Sequence, residues 1–157
     1  MILFTLLVLT IIAAILCILL INSNQRKKII SNKESILRWN STGLTVAGVS
    51  TVSGTDNMHL NRPLDLALDY QGTMFIADIN NHRIQKYVRG SRNGTTVAGF
   101  GNGTSSTSPN GLNVPVHVIV DDEGNLYITN LGNCQILYWP RNALSGVVVG
   151  GFGKKKR

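Results

Sequence analysis

The chain is poor in the residues from which most catalytic and metal sites are built. It has two cysteines, three histidines and eight acidic residues in a length of 157. Cys17 lies in an apolar N-terminal run and Cys134 in a predicted turn, so no internal disulfide is expected and the redox compartment stays open. Neither cysteine has a histidine at a spacing that would activate it, and the histidines do not converge as metal ligands do. The sequence therefore predicts no enzyme activity, no metal and no cofactor.

The scarcity of acidic residues gives the chain a formal net charge of +7, but the excess positive charge is confined to its two ends. Five basic residues lie between Arg26 and Arg38, and four form the tail at 154–157. The segment between them has six basic and seven acidic residues, a net charge of −1. Nucleic-acid binding needs a concentrated basic face and aromatic residues on which bases stack. This distribution argues against a nucleic-acid partner.

What the chain does contain is an internal repeat with a period of 52 residues. Residues 60–101 align without a gap on residues 112–153, with identity at 14 of 42 positions. Most of the other positions exchange within a residue type, such as Leu66 for Val118. Repeats of this length are typical of arrays of supersecondary units that cannot bury their own apolar faces alone.

Each repeat has the apolar alternation of short β-strands separated by turn residues. In the first repeat, strands are predicted at residues 64–68, 74–77, 84–88 and 94–99. Asp69 and Gly72 mark the first turn, and Asn80 and Asn81 mark the second. Four short antiparallel strands that recur at one period are typical of a propeller blade, so the chain is predicted to be all-β.

Two side chains at the second turn of each repeat are predicted to form a structural pair. Asp78 and Arg83 flank the turn and would face each other across a hairpin. Asn130 and Gln135 occupy these positions in the second repeat, so both charges are replaced together by a neutral pair able to hydrogen-bond. The alternative is that Asp78, His82 and Arg83 form a functional site. We favour the structural interpretation, because ion pairs are more often structural.

These residues resemble the NHL repeat, which forms the blades of six-bladed β-propellers. The resemblance rests on residues 75–78, Phe-Ile-Ala-Asp, and on residues 81–85, Asn-His-Arg-Ile-Gln. The second repeat departs from the pattern with Asn130, Cys134 and Gln135 at the signature positions. The resemblance implies a partial β-propeller made of NHL-type four-stranded blades.

Residues 44–48, Leu-Thr-Val-Ala-Gly, echo residues 95–99 and are predicted to be the last strand of a preceding blade. A closed propeller takes about four to eight blades, whereas two blades and one strand are recognisable here. An open two-blade array would expose strand edges and apolar faces. We therefore expect a fragment of a longer propeller, with self-association into a ring or a marginally folded chain as the alternatives.

The longest apolar run, Met1–Ile21, is predicted to be a transmembrane or signal-anchor helix that contacts the lipid bilayer. As a helix it would reach about 32 Å, which matches a hydrocarbon core of about 30 Å. It has no basic residue before it and no small-residue cleavage site after it. Both features argue against the alternative, a signal peptide that is removed.

Two features disagree on the side of the membrane that carries the repeats. The basic linker that follows the anchor favours the cytosol. The glycosylation sequons at Asn40, Asn93 and Asn102 have meaning only in the secretory lumen. We expect a single-pass membrane protein with a lumenal or extracellular repeat domain, and the cytosolic orientation is the alternative.

The resemblance implies a non-catalytic module that binds a protein or another ligand through its blade turns. The predicted contact residues are Asn80, Asn81, His82, Gly132, Asn133 and Cys134. One alternative is a substrate-recognition adaptor in protein ubiquitination, as in NHL ligases, which needs the cytosolic orientation and borrowed catalysis because the chain has no RING cluster. The other is a fragment of a peptide-amidating propeller lyase, which would need histidine-bound zinc from further blades.

The predicted organisation has seven segments. They are the anchor at 1–21, a polar basic linker at 22–42, the last strand of a preceding blade with its loop at 43–59, the first NHL repeat at 60–101, an inter-blade loop at 102–111, the second NHL repeat at 112–153 and the basic tail at 154–157.

Overall fold

The structure is a computed structural model that describes residues 20–24 and 40–151. Residues 20–24 are helical. Within these two ranges no helix is long and apolar enough to span a bilayer. The tail at 154–157, most of the predicted anchor and most of the predicted linker lie outside the described residues. The chain divides at Gly43 into two units, and the unit that begins at Leu44 contains every strand found among the described residues.

Each repeat forms one four-stranded antiparallel sheet with its strands in sequence order. The first, sheet A, consists of β1 (Pro63–Leu68), β2 (Met74–Asp78), β3 (Arg83–Tyr87) and β4 (Thr95–Gly99). The second, sheet B, consists of β5 (Pro115–Val120), β6 (Leu126–Asn130), β7 (Gln135–Trp139) and β8 (Val147–Gly150). The predicted all-β fold with four short antiparallel strands in each repeat is confirmed.

The 52-residue period of the sequence is also the period of the backbone. The register shift between Pro63 and Asp65 in β1 recurs between Pro115 and His117 in β5. Positive φ angles recur at the same spacing in six pairs of residues: Thr51 and Gly103, Arg62 and Val114, Gly72 and Gly124, His82 and Cys134, Gly90 and Asn142, and Gly99 and Gly151. The two sheets are therefore two copies of one backbone design.

The turn between the first two strands of each sheet is held by an aspartate. Asp69 Oδ1 accepts from the amide N–H groups of Gln71 and Thr73, at 3.0 and 2.8 Å. Asp121 accepts in the same way from the Asn125 amide N–H at 2.7 Å and also from the Asn125 side chain at 2.9 Å. Each carboxylate thus satisfies turn amides that the strand ladder leaves unpaired.

The hydrophobic core lies between the two sheets. Sheet A contributes Phe75, Ala77, Ile84 and Ala98, and sheet B contributes Val118, Leu126, Ile128, Leu137 and Trp139. Leu112, in the loop before β5, is fully buried in the same cluster. Because neither sheet has a core of its own, each depends on the other to remove its apolar side chains from water.

The two sheets use opposite faces to form this core. Phe75 and Ile84 lie on the buried face of sheet A, yet their repeat equivalents Tyr127 and Ile136 lie on the outer face of sheet B. Conversely, buried Val118 in sheet B corresponds to Leu66 on the outer face of sheet A. Stacking in this way repeats one contact in one direction. The opposite face of sheet A is exposed along β1, whereas Ile76 and Tyr87 on that face are buried.

Residues 44–48 do not form the strand predicted for them. The segment has no ladder partner, and Leu44 and Val46 are exposed. A strand needs a neighbouring edge to satisfy its amide and carbonyl groups. The sheet to which this segment would belong as a last strand is not among the described residues.

Candidate functional site

The turn between β2 and β3 carries the family-like signature and is organised by Asp78. A 3-10 turn, Ile79–Asn81, follows Asp78 and ends at His82, which has a left-handed backbone. Asp78 is fully buried. Its Oδ1 accepts from the Asn61 amide N–H at 2.7 Å, and its Oδ2 accepts from Asn81 Nδ2 at 2.8 Å and Arg83 Nε at 2.9 Å. The carboxylate therefore joins the start of β1 to the turn.

Arg83 is also fully buried and uses all five of its N–H donors inside the protein. Nε donates to Asp78 at 2.9 Å. Nη1 donates to the carbonyl oxygens of Thr55 and Gly101, the latter at 2.9 Å. Nη2 donates to the carbonyl oxygens of Asp56 and His59, at 3.1 and 3.0 Å. The guanidinium thus fastens the loop before β1 and the loop after β4 to the β2–β3 turn, and it has no donor left for a ligand.

Asn130 and Gln135 face each other in the ladder of sheet B, as Asp78 and Arg83 do in sheet A. Asn130 Oδ1 accepts from the Asn113 amide N–H at 2.7 Å, the equivalent of the Asn61 contact. The buried Nδ2 of Asn130 has no hydrogen-bond partner. The Asn130 side chain therefore hydrogen-bonds to the Asn113 amide in the loop before β5 and does not donate to Gln135, in contrast to the hydrogen-bonded pair expected from the sequence.

The six residues predicted to contact a ligand differ in how far they reach solvent. Asn81 is buried, and its Nδ2 donates to Gly54 and Asp78. Asn133 is half-buried and donates to the Ser106 carbonyl oxygen at 2.9 Å. Asn80, Gly132 and Cys134 are exposed, and His82 is half-buried. Leu131, the first residue of the second predicted contact turn, is also exposed. We call the four exposed residues together with the half-buried His82 the turn surface: Asn80, His82, Leu131, Gly132 and Cys134.

His82 connects the two turns of this surface. Its Nδ1 accepts from the Val114 amide N–H at 3.0 Å, so the first turn is attached to the segment that enters β5. Val114 and His82 both have positive φ angles, 53° and 48°, which bring the amide and the imidazole together. The contact fixes the Nδ1 atom as an acceptor, which leaves Nε2 to carry the proton of the neutral ring.

A second link between the sheets was not found from the sequence. Asp65 Oδ2 lies 2.6 Å from His117 Nδ1 and accepts from the Val118 amide N–H at 2.9 Å. Asp65 and His117 are repeat equivalents, so neighbouring sheets place the same position side by side. The signal available in the sequence was the change of a carboxylate to an imidazole at one repeat position.

Local hydrogen bonds lower the pKa of two carboxylates, the exposed Asp56 and the half-buried Asp121. The His59 side chain, followed by the Met58 amide, holds the pKa of Asp56 below its usual value. The Asn125 side chain does the same for the pKa of Asp121. Burial raises the pKa of Tyr87, whose hydroxyl donates to the Asn57 carbonyl oxygen at 3.3 Å. The two carboxylates thus hold the backbone of their own loop or turn, and Tyr87 holds the loop before β1 to sheet A.

The three asparagines of the glycosylation sequons, Asn40, Asn93 and Asn102, are all exposed. Asn102 accepts from the Thr104 amide N–H at 3.1 Å, which leaves its amide nitrogen directed to solvent. An oligosaccharyltransferase could therefore reach each of them without unfolding a strand.

The part of the chain that the structure describes contains no group of three or more metal-ligating side chains. Its histidines are instead separated by their contacts: His59 with Asp56 at 2.6 Å, His82 with the Val114 amide, and His117 with Asp65. Neither the protein-family models nor the curated proteins that were searched give a match to this chain.

Proposed function

We propose that the chain is a membrane-anchored segment of an NHL-type β-propeller that binds a protein or another ligand through the turn surface and has no catalysis of its own. The observation that carries this proposal is the complete use of Asp78, Asn81 and Arg83 in internal hydrogen bonds. These three polar side chains therefore have a structural role. Their hydrogen bonds hold the neighbouring turn residues in fixed positions.

The chemistry of the turn surface favours a partner with an apolar group beside hydrogen-bonding groups. Leu131 is 55% exposed although it is a large apolar side chain. Asn80 and the Nε2 atom of His82 offer polar groups on the same turn surface, since His82 and Leu131 both hydrogen-bond to the Val114 backbone. Small patches of this composition, rimmed by polar residues, are typical of protein-binding sites.

We place the repeats in the lumen or outside the cell, with Met1–Ile21 as the anchor. The exposure of Asn40, Asn93 and Asn102 supports this orientation, because all three are accessible to modification in the folded state. Expression of the full chain in a eukaryotic cell tests it. We expect a glycosidase-sensitive mass shift in the membrane fraction that is lost when the three asparagines are changed to glutamine.

An unshifted chain whose C-terminus is digested by protease added to the cytosolic side would contradict the lumenal orientation. It would favour the adaptor hypothesis in protein ubiquitination, since that function requires the cytosol.

Binding itself is tested with a photo-crosslinking amino acid at position 131, compared with position 144, which is an exposed leucine in the loop between β7 and β8. We expect a discrete cross-linked product from position 131 alone, and equal labelling from both positions would refute a role for the turn surface.

A further inference from the structure

The internal repeat makes it possible to compare each side chain with its equivalent in the other sheet. Ile84 and Ile136 are the same residue at the same repeat position, yet Ile84 is 0% exposed and Ile136 is 36% exposed. Phe75 is 6% exposed, and its equivalent Tyr127 is 41% exposed. The difference arises because sheet B covers this face of sheet A, whereas no described residue covers the same face of sheet B. We call this face of sheet B, with Ile119, Tyr127 and Ile136, the tail face.

On the opposite side of sheet A, the apolar side chains of β1 are exposed, whereas Ile76 and Tyr87 in β2 and β3 are buried. Val118 is 2% exposed in the core, whereas its equivalent Leu66 is 52% exposed. Val120 is half-buried against the core, and its equivalent Leu68 is exposed. We call this side of sheet A, with Leu64, Leu66 and Leu68, the head face. Val118 and Val120 of sheet B pack against sheet A in the core. Their equivalents on the head face are also apolar, so the head face could pack against a further sheet in the same way.

The Asp65–His117 contact between the sheets could form again between the tail face of one copy and the head face of another. Within the chain, Asp65 meets His117 at 2.6 Å. If a further sheet packed on the tail face in the same way, His117 would meet the residue that corresponds to it in that sheet. When the further sheet is sheet A of another copy, that residue is Asp65. A carboxylate would again face an imidazole, whereas two sheets of one type would place like groups together.

Two clefts lie at equivalent positions, one between the two sheets and one on the head face, where no second sheet is packed. The cleft between the sheets is lined by Val97, Gly124, Leu126 and Arg141, with a volume of about 80 Å³. The equivalent cleft on the head face is lined by Val46, Gly72, Met74 and Arg89, with a volume of about 340 Å³. The larger cleft lacks the side chains that Phe75 and Lys86 provide to the smaller one. Its larger volume is consistent with the absence of a packed neighbouring sheet at this position.

We propose that the tail face of one copy packs on the head face of a second copy, in the geometry by which sheet A packs on sheet B. The contact is heterologous, because it joins two different faces. It repeats around a ring if the rotation closes, and two to four copies would supply the roughly four to eight sheets of a closed propeller. This inference rests on the propeller architecture proposed above. Its test measures the oligomeric state and is independent of ligand binding.

The proposed assembly requires residues 44–48 to be displaced from the head face. They occupy the head face at the place where β8 of the second copy would lie, as Leu44 and Val46 line the larger cleft. The segment has no strand pairing and its apolar side chains are exposed. β8 is instead paired with β7 along Tyr138, Leu137 and Ile136. Displacing an unpaired segment costs less free energy than breaking the hydrogen bonds of a paired strand. We therefore expect β8 to keep its pairing with β7 and residues 44–48 to move.

Two matched substitutions test the proposal in the full chain, solubilised in mild detergent and analysed by native mass spectrometry. Ile119→Arg places a charge on the tail face, and Leu66→Arg places one on the head face. Both residues are 52% exposed, so neither change should unfold the sheet that carries it. Leu144→Arg is the control, because Leu144 is 89% exposed in the loop between β7 and β8 and belongs to neither face. Circular dichroism confirms that the strands of each variant are formed.

We expect the wild type and Leu144→Arg to form the same oligomer, and each face variant alone to be a monomer. A mixture of Ile119→Arg and Leu66→Arg should form a 1:1 complex and nothing larger, since the first retains its head face and the second its tail face. A monomeric wild type would overturn the proposal. So would an oligomer that both face variants leave intact, because that result would assign association to the anchor segment. A mixture that stays monomeric would also refute head-to-tail packing.

Discussion

At the scale of single residues, the Asp78–Arg83 pair is the main stabilising feature of the β2–β3 turn. Both side chains are fully buried, and their atoms approach to 2.9 Å. A buried ion pair compensates its desolvation cost only when further hydrogen bonds satisfy the remaining groups. Asp78 has two additional donors and Arg83 has four carbonyl acceptors. The pair is therefore part of a satisfied network and not an isolated salt bridge.

Arg83→Gln should lower the free energy of unfolding by about 3–5 kcal/mol, since it leaves the Asp78 carboxylate buried without its countercharge. The double variant Asp78→Asn/Arg83→Gln copies the Asn130 and Gln135 of sheet B. It should cost less than Arg83→Gln alone, because no charge is then buried unpaired. Urea unfolding followed by circular dichroism measures both. A double variant at least as unstable as the single one would contradict this account.

At the scale of elements, each sheet needs a glycine at the end of its last strand. Gly99 has a φ of +81°, and a Cβ placed on it would overlap the carbonyl oxygen of His82. Gly151 stands in the same relation to Cys134. The close approach brings the end of the fourth strand against the turn that carries the signature residues. These glycines thus couple strand pairing to the position of the turn surface.

Gly99→Ala should be more destabilising than Gly90→Ala, although both glycines have a φ of +81°. Gly90 has open space where a Cβ would lie, so alanine there pays only the backbone strain of the left-handed region, roughly 1–2 kcal/mol. At Gly99 the contact with the His82 carbonyl oxygen adds to that strain. Thermal unfolding of the two variants measures the difference. Equal losses of stability would show that the close approach relaxes at no cost.

At the scale of the whole molecule, the two sheets share one core, and neither has a second layer of its own. Leu112 illustrates the dependence, because it lies in the loop between the sheets and is fully buried in the common cluster. Trp139 from sheet B and Phe75 from sheet A belong to the same cluster. Loss of either sheet would expose the packed face of the other. The sheets are thus expected to unfold together.

Leu112→Ala should lower the free energy of unfolding by about 2–5 kcal/mol through the cavity that it leaves. Because the core is shared, amide protection should fall by the same amount in β3 and in β7. Hydrogen exchange with mass spectrometry of peptides from both strands measures this. Leu144→Ala is the control and should change stability by no more than about 0.5 kcal/mol, since Leu144 is 89% exposed. A loss of protection restricted to one sheet would contradict a common unfolding unit.

The sequence by itself determined the strands, their order within each repeat and the turns between them. These features depend on contacts between residues that are close along the chain, such as Asp69 with Thr73 or Asp78 with Arg83. The period of two, the turn residues and the 52-residue repeat all carry that local information. The alignment of Asp78 and Arg83 across a hairpin was predictable for the same reason.

Only the tertiary structure decided which face each sheet buries and what lies between the sheets. In β1 the leucines alternate with Asp65 and Ala67, yet sheet A packs its Ala67 side on the core and leaves the leucines exposed, so alternation does not identify the buried face. The four carbonyl groups around Arg83 and the contact of Asp65 with His117 bring together residues that are 18 to 52 positions apart. Such contacts depend on how the sheets stack, because stacking selects among apolar faces that the sequence leaves equivalent.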